Sequence, residues 1–123
     1  ASDPRMLQIL FDYFPASPPR VPVPLVVIGF ELLNPVSEGS TNILSDNPFQ
    51  LAASDDGFYQ NPIDLLNMRN AIQVYIRDLL TALSPQLIAV PGDPIYQVVL
   101  DGFSDKSVEE YVKNNSNLSL DVH

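Results

Sequence analysis

The stretch from Asn61 to Leu83 most limits what this chain can become. Asn61 is a good helix cap, because its side-chain oxygen can accept a free backbone N–H of the first turn. Pro62 follows at the first helical position, where its missing donor costs nothing. Leu65, Met68, Ile72, Ile76, Leu79 and Leu83 then recur every three or four residues, which is the spacing of one helical face. Leu66, Val74 and Tyr75 widen that face, so the expectation is one long, well-buried helix. Asp64, three residues past the cap, can complete a variant of the capping box, and Ser84-Pro85 ends the element. A stripe this wide needs apolar surface to lie against.

The segments before the helix read as strands. From Met6 to Phe14, Leu7, Ile9, Phe11 and Tyr13 alternate with Gln8, Leu10, Asp12 and Phe14. Pro15, Pro18 and Pro19 then interrupt any ladder. Val23 to Asn34 is the strongest strand: Val26, Ile28, Phe30 and Leu32 share one face, and Leu25, Val27 and Leu33 the other. Apolar residues on both faces predict a central strand or one covered by a helix. Asn34-Pro35-Val36-Ser37-Glu38-Gly39 is a turn, with Pro35 presetting its backbone and Gly39 permitting a left-handed conformation. Ser40 to Ser45 reads as a short strand paired with the preceding one, and Asp46-Asn47-Pro48 turns the chain again. Beyond the long helix, Pro91-Gly92 is a turn and Pro94 can open a short helix through Leu100. Ser104 caps a further helix from Asp105 to Lys113, with Val108, Tyr111 and Val112 facing inward. Leu118 and Leu120 alternate with Ser119 and Asp121, which permits a short strand. The expected fold is α+β: an antiparallel sheet with helices packed on one face, forming one truncated domain over residues 1–123.

Charge and composition exclude several functions. Fifteen acidic residues against six basic ones give a formal charge of -9. No nucleic-acid partner is expected from such a balance, because phosphate binding needs positive charge. The run Leu25–Phe30 is too short to cross a bilayer, so no membrane-spanning segment is expected. Without cysteine there is no disulfide framework and no thiolate chemistry. Asn114-Asn115-Ser116 and Asn117-Leu118-Ser119 both fit the glycosylation acceptor pattern.

The residues by themselves define no self-contained active site. Asp55-Asp56 and Glu109-Glu110 are adjacent acids, and neighbours in sequence do not share a face as a catalytic dyad must. Asp101, Asp105 and Glu109 lack the spacing of a calcium loop. No metal site is expected. The only histidine, His123, is the last residue and reads first as a solvated terminal side chain. There is no G-x-S-x-G elbow and no G-x-G-x-x-G dinucleotide fingerprint.

Four segments in order nevertheless resemble the C-terminal half of the glucose–methanol–choline (GMC) oxidoreductases. They are Leu33-Asn34-Pro35-Val36-Ser37-Glu38-Gly39-Ser40, Ser45-Asp46-Asn47-Pro48-Phe49, Asp56-Gly57-Phe58-Tyr59-Gln60-Asn61-Pro62-Ile63-Asp64-Leu65, and the helix from Ser104 to Asn115. The resemblance implies the substrate-binding part of an FAD-dependent, choline-dehydrogenase-like flavoprotein, inactive by itself. It implies that FAD is held by a separate binding domain, in cis or on a companion chain, and that the substrate is a small alcohol. It implies that His123 corresponds to the family's catalytic base. A hydroxynitrile-lyase-type relative and a non-catalytic module derived from the same domain are the alternatives. Glu38 stands where the family usually has arginine, and Gly57 where it often has proline, which points to a divergent or inactive relative.

Overall fold

The computed structural model describes residues 7–16 and 23–117. Its elements are β1 (Leu7–Phe14), β2 (Leu25–Leu32), β3 (Ser40–Asn42), β4 (Ala53–Asp55), α1 (Pro62–Ala71), a π-helical turn (Ile72–Ile76), α2 (Arg77–Leu83), α3 (Pro94–Leu100) and α4 (Asp105–Asn115). The class is α+β, with antiparallel strands first and helices after them. The strands form two small sheets, β1 with β2 and β3 with β4. Internal contacts divide the described residues into two compact units, one of residues 7–16 and 23–34, the other Pro35–Asn117.

The first unit is the β1–β2 pair. Its register sets Leu7 against Leu32, Ile9 against Phe30, Phe11 against Ile28 and Tyr13 against Val26. Like therefore faces like across the ladder, because side chains alternate with a period of two on both strands. The covered, central position expected for β2 is not what forms. Among the described residues its only strand neighbour is β1, and Val26 and Val27 are exposed. Apolar residues on two faces suit a strand to a central place, but a third strand must arrive to create it. The expected candidate, Ser40–Asn42, pairs instead with Ala53–Asp55.

The second unit is built around its helices. α4 packs against both α1 and α3. Its Val108 and Val112 lie one turn apart and are buried, together with Val98 of α3 and Met68, Ala71, Ile72 and Ile76 of the long helix. That helix starts where the sequence places it: the Asn61 side chain accepts the Ile63 N–H at 3.0 Å. Asp93 and Ser104 cap α3 and α4 in the same way.

The expected stripe is only half buried. Met68, Ile72 and Ile76 lie in the core, whereas Leu66, Val74, Tyr75 and Leu83 are exposed. Two physical causes act together. α4 covers one side of α1 only, and the π-helical turn widens the helix at Ile72–Ile76, rotating everything after it relative to a 3.6-residue period. Within that turn the Gln73 amide donates to the Phe103 carbonyl at 2.9 Å and to the Asp105 carboxylate at 2.7 Å, which ties the widened turn to the start of α4.

Candidate functional site

Residues 35–39 and 57–64 meet at the N-terminus of α1. Asp64 is the tie. Its carboxylate accepts the backbone N–H of Val36, at 3.0 and 3.1 Å to its two oxygens, and that of Ser37 at 2.7 Å. The Ser37 hydroxyl adds a further hydrogen bond to it. That same hydroxyl accepts the N–H of Asn61 at 3.0 Å. The expected capping box is therefore not closed by Asp64. Ser37, from 24 residues earlier, takes the cap-residue N–H and leaves the carboxylate free for the turn. The sequence carried a faint sign of this. Aspartate is one methylene shorter than the glutamate that normally reaches back to the cap.

Asp64 is covered, at 2% exposure, but lies close beneath the surface. Burial is the largest single influence on its carboxyl and opposes ionisation. The Ser37 hydroxyl and the Val36 and Ser37 amides together outweigh it and hold the pKa below the ordinary carboxylate value. Asp64 is thus an ionised group whose oxygens are committed to the fold, and it has no free lone pair aimed at a substrate.

Two glycines let the same loops touch backbone to backbone. A Cβ at Gly39 would run into the carbonyl oxygens of Asp55 and Asp56, and one at Gly57 into that of Glu38. Gly57 also has φ +65°, which favours glycine. The expected left-handed conformation at Gly39 does not occur: its requirement is close approach, not dihedral freedom. The Asp55 carboxylate closes this corner by accepting the Gly57 N–H at 3.0 Å.

Tyr59 adopts φ +57°, a strained conformation for an aromatic residue. Its hydroxyl lies 2.6 Å from the Ser116 hydroxyl, which donates its own proton to the Val112 carbonyl at 2.7 Å. Tyr59 is therefore the donor, and the bond fastens the turn before α1 to the end of α4. Burial raises the Tyr59 pKa; the Ser116 bond opposes the rise and the charge of Asp64 adds to it. The phenol stays protonated at neutral pH.

Beside this junction an open trough of about 410 Å³ runs between α1 and α4, lined by Pro62, Ile63, Leu65, Leu66, Arg69 and Glu109. Arg69 crosses it to pair with Glu109 at 2.7 Å and Asp105 at 3.5 Å. The positions of Asp105 and Glu109 along the sequence give no sign of this pairing. Nothing local signals a partner 40 residues away. The trough offers aliphatic walls and a mutually neutralised ion pair, with no nucleophile beside a base.

The paired acids fall as adjacency suggested, with Asp55 at the end of β4 and Glu109 and Glu110 within α4. Among the described residues no group of three or more ligating side chains could hold a metal ion, and no helix is long and apolar enough to cross a membrane. Asn114 lies in the last turn of α4, and the serine of its triplet is the one held by Tyr59. Asn117 is exposed just beyond that helix. His123 and the Leu118–Leu120 alternation lie outside the described residues. Both sheets are antiparallel, so the described residues form no parallel strand–turn–helix unit of the dinucleotide-binding kind. No protein-family model, no curated protein and no solved structure matches the chain.

Proposed function

We propose that the chain is the substrate-side part of an FAD-dependent GMC-type alcohol oxidoreductase and works only beside a separate flavin-binding domain. The observation that carries this reading is the junction at Asp64. It joins two of the segments that resemble the family, the Pro35-Val36-Ser37-Glu38-Gly39 turn and the start of α1, through a carboxylate, a serine and two glycines. Such a tie gives both segments a reason to keep their order and spacing. The flavin, on its own domain, supplies the redox chemistry. This chain contributes one wall of the alcohol pocket and, in His123, a base for the substrate hydroxyl proton.

The test is the visible absorption of the natural full-length product, purified without denaturation and then mixed anaerobically with a series of small alcohols. A flavin band bleached by an alcohol is the expected result. His123→Asn should leave the band in place and slow the bleaching by about 100-fold or more, the usual scale for a lost general base. The isolated 123-residue chain should bind no added FAD. A colourless full-length product would overturn the oxidoreductase reading and favour a non-catalytic interaction module. A flavin band that alcohols never bleach would point instead to a lyase-type relative.

A further inference from the structure

The loop between β3 and β4 exposes more apolar surface than its construction explains. Ile43 is 88% exposed, Leu44 60%, Phe49 93% and Leu51 88%. Scattered exposed apolar residues are ordinary, but four large ones within nine positions of one loop are not. The loop is also closed on itself. Its base is the β3–β4 ladder, with the Thr41 and Ser54 hydroxyls 3.1 Å apart. Its tip is a turn in which Gln50 N–H donates to the Asn47 carbonyl at 3.1 Å, with Pro48 at the position that favours such a turn. The Asn47 side chain accepts the Phe49 N–H at 3.0 Å, the Ser45 hydroxyl accepts the Asn47 N–H at 3.2 Å, and Ser45 also donates to the Gln50 side chain. Every polar side chain in that list serves the loop's own shape. What is left pointing outward is apolar apart from Asp46.

The charge around the loop narrows what can receive it. Residues 35–68 contain no lysine and no arginine, while Glu38, Asp55 and Asp56 flank the loop in sequence and Asp46 lies within it. A second copy of this chain brings the same acidic surroundings and a formal charge of -9, so like charges oppose self-pairing. An anionic lipid surface is opposed for the same reason. We infer that the Ile43–Leu51 loop is a docking element for a protein partner that offers an apolar cleft rimmed by lysine or arginine. Phe49, the most exposed aromatic side chain, and Leu51, as exposed as Ile43 and two residues from Phe49, are its anchors, and the acids supply steering and register. This inference stands independently of the flavoprotein reading.

The test uses three synthetic helical peptides and the intact chain at low ionic strength, with affinity read by calorimetry. One peptide is amphipathic with a leucine face and a lysine face. The second has the same composition scrambled, and the third carries glutamate in place of lysine. The lysine amphipath should bind, and added salt should weaken it. The double variant Phe49→Ser, Leu51→Ser should bind it at least tenfold more weakly, whereas Ile88→Ser, an exposed apolar residue elsewhere, should bind like the parent. No binding, equal binding by the scrambled or glutamate peptide, or an unchanged double variant would each overturn the inference. Loop-dependent binding to phosphatidylcholine vesicles without peptide binding would overturn it in favour of a lipid surface.

Discussion

At the scale of single residues, Asp64 and Gly57 carry the unit that holds the candidate site. Asp64→Asn keeps the shape but sets an amide against two backbone donors and a hydroxyl. It should cost about 3 kcal/mol by the scale of charge-assisted hydrogen bonds lost in a covered site. The pH dependence follows from the sign of the shift. The folded-state pKa lies below the unfolded value. The stabilisation is therefore complete above about pH 4 and drains away as pH falls through the folded-state value. Urea midpoints of the parent should drop as the pH falls below about 4, and Asp64→Asn should show a smaller drop over the same acid range. Equal acid sensitivity in the two proteins would mean that another carboxylate governs the transition. Gly57 and Gly102 make a second comparison, since both have positive φ, +65° and +66°. A Cβ at Gly102 meets nothing within 4 Å, whereas at Gly57 it meets the Glu38 carbonyl. Gly102→Ala should cost about 1 kcal/mol, the dihedral penalty alone. Gly57→Ala should cost about 3 kcal/mol or more, because a backbone clash is added. Thermal melts of the two variants decide whether loop contact or dihedral freedom dominates at Gly57.

At the scale of elements, the long helix shows how tertiary partners edit a local pattern. Its start was legible in Asn61 and Pro62, and Asn61→Ala should cost about 1 kcal/mol. Its middle was not legible. The π-helical turn places Gln73 where its amide reaches Phe103 and Asp105, and periodicity in Ile72–Ile76 gives no sign of a widened turn. Gln73→Ala should remove about 1 kcal/mol, the net worth of an ordinary hydrogen bond or slightly more. The cap loss and the Gln73 loss should add, because the two sites lie far apart along the helix and share no partner. Chemical denaturation of the single and double variants measures this. A clear departure from additivity would show that the π-helical turn and the cap stabilise one cooperative structure.

At the scale of the whole molecule, the buried apolar side chains among the described residues are confined to one unit. All of them lie in the Pro35–Asn117 unit, and the described part of the β1–β2 pair has none. A two-stranded antiparallel pair without a covered face is marginal in water. Amide hydrogens of Leu7–Phe14 and Leu25–Leu32 should therefore exchange much faster than those of α1 and α4, as hydrogen–deuterium exchange with mass readout would show. Slow exchange in the strands would mean that their apolar faces are covered in solution. Fast exchange that slows when a flavin-binding domain or other partner is added would identify these strands as an interface.

The sequence by itself determined what depends on neighbours a few residues apart. Asn61 and Ser104 as caps, the alternation of β1 and β2, the start of α4 and the α+β class all follow from local hydrogen bonding and from periods of 2 and 3.6. Only the tertiary structure decided what those elements meet. Val26 and Val27 read as buried and are exposed, β1 being the only strand beside β2 among the described residues; Leu66, Val74 and Tyr75 read as core and are exposed because, among those residues, α4 covers one side of α1 alone. Asp64 read as a cap partner, and its bonds went to Val36 and Ser37, 28 and 27 residues away. A carboxylate takes the donors that the folded chain brings within 3 Å of it, and sequence spacing says nothing about donors that arrive from another turn.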